Sequence, residues 1–262
     1  MRALFLLGIT FFVSATGSAH DTWVETNTTS VPSGQAVYVD LKLGNHGNHH
    51  RDFKLASKIA LTHVTLHTVG PDGKAHDLKP ALVDTGYAPK EGYWTAKAVT
   101  PEPGLYVVAH TLNTLHLTTR AIKSAKTYYY VAPTSAGSSS SVEGFDKPLG
   151  HEIELVPLTD PLVLAGPGKP LDVKLLFKGK PLAEATISFI PRGQALTEEF
   201  DARFERKTDS NGVASFTPES GNRYLAVVHH AAPDEKGEGF DRTAYSATLT
   251  FLVPEVALTV GK

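Results

Sequence analysis

The sequence predicts an all-β protein built from two antiparallel β-sandwich domains, and three observations predict it. Short segments of alternating side chains recur, as in Gln35 to Leu43, where Val37, Val39, Leu41 and Leu43 alternate with Ala36, Tyr38, Asp40 and Lys42. A side-chain period of two marks a strand with one buried face. Turns rich in Gly, Pro, Asn and Asp, such as Pro71-Asp72-Gly73 and Asp209-Ser210-Asn211-Gly212, separate the segments, and many short strands at such spacing build sandwiches. Finally, Pro133 to Ser141 reads Pro-Thr-Ser-Ala-Gly-Ser-Ser-Ser-Ser, a composition with almost nothing to bury that suits a linker or an exposed loop.

The chain opens with Arg2, an apolar run from Ala3 to Val13 and the small residues Ser14 to Ala19, the three regions of a secretory signal peptide over residues 1–19. The apolar run is too short to span a bilayer as a helix, and nothing as apolar recurs, so no membrane span is expected in the mature protein. Cleavage after Ala19 leaves 243 of the 262 residues, enough for two small domains with real cores. The expected division is 20–132 for a His-rich N-terminal sandwich, 133–150 for the Ser-rich linker, 151–254 for a second sandwich and 255–262 for a tail. Strand signals recur at Ala60 to Val69, Leu105 to His110, Thr127 to Val131, Leu171 to Phe177, Ala185 to Ile190, Val213 to Phe216, Arg223 to Val228 and Ala247 to Val253. Leu196 to Arg206 is the best short helix candidate and reads equally as a polar loop.

The formal charge of −2 becomes −3 once Arg2 is removed, and no Lys/Arg cluster stands out, so no nucleic-acid or anionic-membrane partner is expected. With no cysteine in the chain, thiolate catalysis, Cys-ligated zinc and disulfides are excluded. No Gly-x-Ser-x-Gly elbow, phosphate loop or His-Glu-x-x-His helix occurs, and the expectation is a protein that is not an enzyme.

Histidine is the unusual component. Of twelve histidines, nine precede the Ser-rich stretch, and imidazole without thiolate suits nickel, cobalt, copper or zinc. Processing would make His20 the first residue, whose free α-amine and Nδ1 can chelate one ion. The loop Gly44-Asn45-His46-Gly47-Asn48-His49-His50 places three imidazoles within five residues, so His46, His49 and His50 are the other candidate ligands, with Asp21 a candidate oxygen donor. His63 and His67, read as one strand, would stand about 13 Å apart. His110 and His116 would meet across a hairpin or, equally, be core or rim histidines, and His229 and His230 would point to opposite faces. His151-Glu152-Ile153-Glu154 offers a carboxylate–imidazole cluster but reads equally as the exposed face of a strand, and no catalysis is expected of it.

The strings His20-Asp21-Thr22-Trp23-Val24-Glu25, Lys126-Thr127-Tyr128-Tyr129-Tyr130-Val131, Glu152-Ile153-Glu154-Leu155-Val156-Pro157 and Phe177-Lys178-Gly179-Lys180-Pro181-Leu182-Ala183, with the Gly-His loop, together resemble the DUF4198 family. The resemblance implies a secreted or periplasmic bacterial protein related to nickel and cobalt uptake systems, handling a divalent transition metal beside an envelope transporter. Within it, Leu171 to Val228 looks like a prealbumin-like or carboxypeptidase-regulatory-like sandwich. Two readings compete with metal delivery: a structural or adhesive two-sandwich module recognising protein or carbohydrate, and a copper enzyme built on an amino-terminal histidine brace.

Overall fold

A computed structural model of the chain describes residues 20–44, 60–86, 92–133, 143–162, 166–197 and 200–255. The first strands are β1 (Asp21–Thr26), β2 (Ser30–Pro32) and β3 (Ala36–Gly44). After a 3-10 turn at Leu61–His63 come β4 (Val64–Val69), β5 (Ala75–Asp77), β6 (Leu82–Asp84), β7 (Trp94–Val99), β8 (Gly104–His116) and β9 (Thr119–Ala132). The remainder holds β10 (Ile153–Pro157), β11 (Leu171–Phe177), β12 (Lys180–Pro181), β13 (Thr186–Pro191) and β14 (Glu205–Lys207), then β15 (Val213–Phe216), β16 (Asn222–Ala232) and β17 (Arg242–Val253). No α-helix occurs among the described residues, and none of their helices is long and apolar enough to cross a membrane.

Three sheets form three layers. The middle one has nine strands in the order β14-β13-β16-β17-β9-β8-β4-β5, with β2 also paired to β9. The sheet β1-β3-β7-β6 covers one of its faces, and β10-β11-β12, with β15 on β11, covers the other. One core packs Val24, Val37, Val39 and Leu41 against Val108, Ala125, Tyr129 and Val131. The second packs Ile153, Leu155 and Val173 against Ile122, Tyr128, Phe189 and Phe251. The adjacent Tyr128 and Tyr129 of β9 thus enter different cores, as the alternation of a strand requires. Each fully buried aromatic or large aliphatic side chain contributes about 1.5–3 kcal/mol by leaving water.

The pairing is mainly antiparallel, as expected, with two parallel exceptions. Strand β17 pairs β9 in parallel register from Arg242↔Thr119 to Leu249↔Lys126, and β2 pairs the far end of β9 in parallel. A parallel pair needs a long crossover, and here the whole second half of the chain lies between β9 and β17. Both cores therefore share one continuous sheet. Of the expected linker, residues 134–142 lie outside the described ones, whereas Phe145 accepts the Tyr128 hydroxyl at 3.0 Å.

Several turns follow from their sequence. Asp209 Oδ1 accepts from the N–H groups of Asn211 and Val213, both at 2.8 Å. Gly212 closes that turn at φ 74, where a Cβ would meet the Leu175 carbonyl oxygen at 2.7 Å. Elsewhere the sequence reading needs correction. His63 belongs to the 3-10 turn and only His67 to a strand. His110 and His116 lie in the single strand β8; the reversal falls at Leu117 and Thr118, so these histidines stand six residues apart along one strand and not opposite each other. Within the helix candidate, residues 202–204 form a turn and Glu205–Lys207 is β14.

Glu154 also departs from expectation, being buried and not on an exposed face. It accepts Lys126 Nζ at 2.7 Å and the N–H groups of Leu149, Gly150 and His151 at 2.7, 3.0 and 3.2 Å. Burial alone would raise its pKa, but Lys126 and the Leu149 N–H hold the carboxyl below its usual range. Removing either member strands a buried charge, so Lys126→Met and Glu154→Gln should each cost about 3–5 kcal/mol. The double variant Lys126→Met/Glu154→Gln should cost less than the two single variants together in urea unfolding; simple additivity would show that they do not act as a pair. A protease site engineered between Pro133 and Glu143, once cut, should leave two fragments that co-elute under native conditions, because β9 supplies both cores. Separate elution would show that the two halves stand alone.

Candidate functional site

Strand β1 is an edge strand, yet all six of its residues are buried. Its register with β3 sets Asp21 opposite Gly44, the last described residue before the Gly-His segment. The layer beneath supplies the hydrogen bonds that an edge lacks. Lys123 Nζ of β9 donates to the His20 carbonyl at 2.9 Å and to Ser246 Oγ at 3.3 Å. Thr248 Oγ1 of β17 donates to the Thr22 carbonyl at 2.9 Å. Residue 20 is thereby held through its own backbone.

The acidic side chains of β1 face bases from the second half of the chain. His229 Nε2 of β16 lies 2.9 Å from Asp21 Oδ1, and Lys123 Nζ stands 4.0 Å from the same oxygen. Burial would raise the Asp21 carboxyl, but His229 and Lys123 outweigh it and hold the group below its ordinary range. The Asp21 carboxylate in turn raises His229 above its usual 6.5 against the opposing effect of burial. Four residues along, Glu25 accepts Trp23 Nε1 at 2.8 Å and Lys42 Nζ at 3.1 Å. It also pairs with Arg192, and Arg223 Nε lies at 3.8 Å. Burial again opposes ionisation, and Lys42, Arg192 and Arg223 bring the carboxyl to about 2.

His110 shows what a buried structural histidine looks like here. Its Nδ1 faces the Thr65 carbonyl at 2.8 Å and its Nε2 faces Thr22 Oγ1 at 3.1 Å. The carbonyl can only accept, so Nδ1 carries the proton and Nε2 accepts the threonine hydroxyl. Burial takes its pKa down to about 4, and the neutral ring serves as a strut between layers.

Of the expected ligands, His20 sits at this corner, while His46, His49 and His50 lie outside the described residues. His63, His116 and His229 are exposed at the same end of the layers, where β1, β4, β9 and β17 begin and β3, β8 and β16 end. The sequence set His229 and His230 on opposite faces without choosing between them, because nothing local ties residue 229 to residue 21. As alternation requires, His230 takes the opposite face, where its ring lies 4.5 Å from Phe177. Among the described residues no three His, Asp or Glu side chains form a group able to hold a metal. The donors at this corner are imidazole and carboxylate, with no thiolate, a set that suits borderline ions.

The pH dependence of the Asp21–His229 pair has a definite sign. A raised histidine pKa stabilises the fold below its unfolded value near 6.5, and that contribution is lost as pH rises through the higher folded value. The lowered Asp21 contributes above its unfolded value near 3.8 and is lost as pH falls through the folded one. The Tm difference between wild type and His229→Gln should therefore be larger at about pH 5.5 than at about pH 8.5. Equal differences would remove the ion pair from the account.

Comparison with solved structures gives remote likenesses. The D0–D1 domain of intimin is 14% identical over 88% of this chain and 97% of that one, at a TM-score of 0.26. A DUF4785 family protein from Legionella pneumophila is 12% identical over 88% of this chain, which spans 46% of the Legionella chain, at 0.27. The Escherichia coli adhesin FdeC is 13% identical over 90% of this chain and 65% of its own, at 0.25. Scores this low carry no argument about function. No curated protein sequence matches. The family described as "Domain of unknown function (DUF4198)" matches residues 17–232, and the chain belongs to that family.

Proposed function

We propose that the protein is exported to the periplasm or secreted, and that it binds a divalent transition metal ion as an accessory to uptake, without itself catalysing a reaction. Nickel or cobalt is the proposed cargo, copper and zinc being compatible with the same donors, and an envelope transporter is the proposed recipient. The observation that carries this reading is the Asp21↔Gly44 register, which ties the mature amino terminus to the root of the loop containing His46, His49 and His50. The Lys123 bond to the His20 carbonyl supports it by fixing the residue whose amine and imidazole would chelate.

The test is calorimetry of metal-free protein whose intact mass shows a start at His20, titrated with nickel, cobalt, copper and zinc. One site per chain is expected. His20→Ala, an extra alanine before His20, and His49→Ala/His50→Ala should each weaken binding by more than the roughly tenfold that loss of an outer-shell partner costs. Affinity should fall as pH drops through the α-amine and imidazole ranges, about 7.7–8.0 and 6.5. Tightest binding of copper would reflect the intrinsic affinity order and not the physiological ion. Absence of a site, or equal binding by all variants, would move the balance to the structural or adhesive reading. That reading draws on the β8–β9 turn, where Leu117 is 85% exposed and adopts φ 54, an unfavourable conformation for a leucine.

A further inference from the structure

We propose that His229 supplies an imidazole from the second half of the chain to the ion held by residue 20, with the Asp21 carboxylate orienting its ring. The inference rests on the metal-binding reading above and adds to it a ligand distant in sequence. Across four strands of the middle sheet, Leu112, Lys123, Ser246 and His229 stand in one register row. Residues 20 and 21 lie over that row: Lys123 takes the His20 carbonyl and also bonds Ser246, while His229 takes the Asp21 carboxylate. The side chain bonded to His229 thus belongs to the residue that directly follows the chelating one.

The orientation of the ring also fits. An imidazole whose one nitrogen donates to a carboxylate presents the other nitrogen as a metal ligand, and such a carboxylate fixes tautomer and ring direction. Here Nε2 faces Asp21 Oδ1 at 2.9 Å, which assigns Nδ1 to the metal. The His229 side chain is 56% exposed while that of Asp21 is 12% exposed, so the carboxylate is held under the ring and the ring remains open to an arriving ion. Because no three described His, Asp or Glu side chains converge, His229 complements the backbone amine and imidazole of residue 20 and does not complete a cage of side chains. Its neighbour His230, turned to the other face against Phe177, serves as an internal control.

Copper(II) is the probe, added to processed full-length protein and followed by electron paramagnetic resonance and by competition with a chelator of known affinity. Relative to wild type, His229→Ala should lose at least about tenfold in affinity and one coordinating nitrogen from the hyperfine pattern, and Asp21→Asn about 10–100-fold. His229→Asn retains a donor for Asp21 but no imidazole; it should preserve the fold by circular dichroism and lose the same nitrogen. His230→Ala should change nothing. If His20→Ala abolishes the site but both His229 variants keep wild-type affinity and nitrogen count, His229 is not a ligand and the reading of residue 20 stands. If the processed wild type holds no copper, both fall together.

Discussion

Strand β9 must be buried on both faces at once, and the architecture depends on that constraint. From Ile122 to Tyr129 every residue is buried, including two lysines of opposite parity. A buried ammonium is costly unless a carboxylate and further hydrogen bonds compensate it. Each lysine finds its partners on the edge strand of a different outer sheet: Lys123 at the beginning of β1 and Lys126 at Glu154 in β10. These polar contacts specify which strand lies over which face and at what height. An apolar face alone would tolerate sliding of one sheet over the other.

The same logic makes β1 a connector between the halves. Its inward residue Val24 joins the first core, while Asp21 and Glu25 are matched by His229, Arg192 and Arg223 from strands beyond the Ser-rich segment. None of these pairs is a solvent-exposed salt bridge of negligible worth, because each carboxylate is buried and would be stranded without its base. Residue 20 inherits this rigidity, being held one position before a buried ion pair.

The strands were legible in the sequence wherever one face met solvent. Alternation in Leu171–Phe177 and Val213–Phe216 gives β11 and β15 with their observed bounds, and the turn at Asp209–Gly212 follows from side-chain chemistry. Alternation fails where both faces are buried. Strand β9 was seen only from Thr127 to Val131, because Lys123 and Lys126 look like surface residues until their partners are known. Glu154 was misread for the same reason. The parallel β9–β17 pairing and the approach of His229 to Asp21 connect residues more than a hundred positions apart, and no local pattern encodes such a register. The corner was accordingly half legible: His20 was named from the sequence, whereas the contact between His229 and Asp21 came only from the fold.

That asymmetry bears on how such a site could act. Of the strings His20–Glu25, Lys126–Val131 and Glu152–Pro157, the last two meet between layers through Lys126–Glu154, while Trp23–Glu25 braces β1 internally. They specify the scaffold. Exposed histidines sit instead at the strand ends, where His63, His116 and His229 lie at the same end of the layers, in the turn before β4, in β8 and in β16. An ion bound there by donors from both halves would stabilise the folded chain in proportion to its occupancy. Its release would depend on loosening β1 from the row of Lys123, Ser246 and His229. Binding at this corner and the seating of β1 would then be one equilibrium.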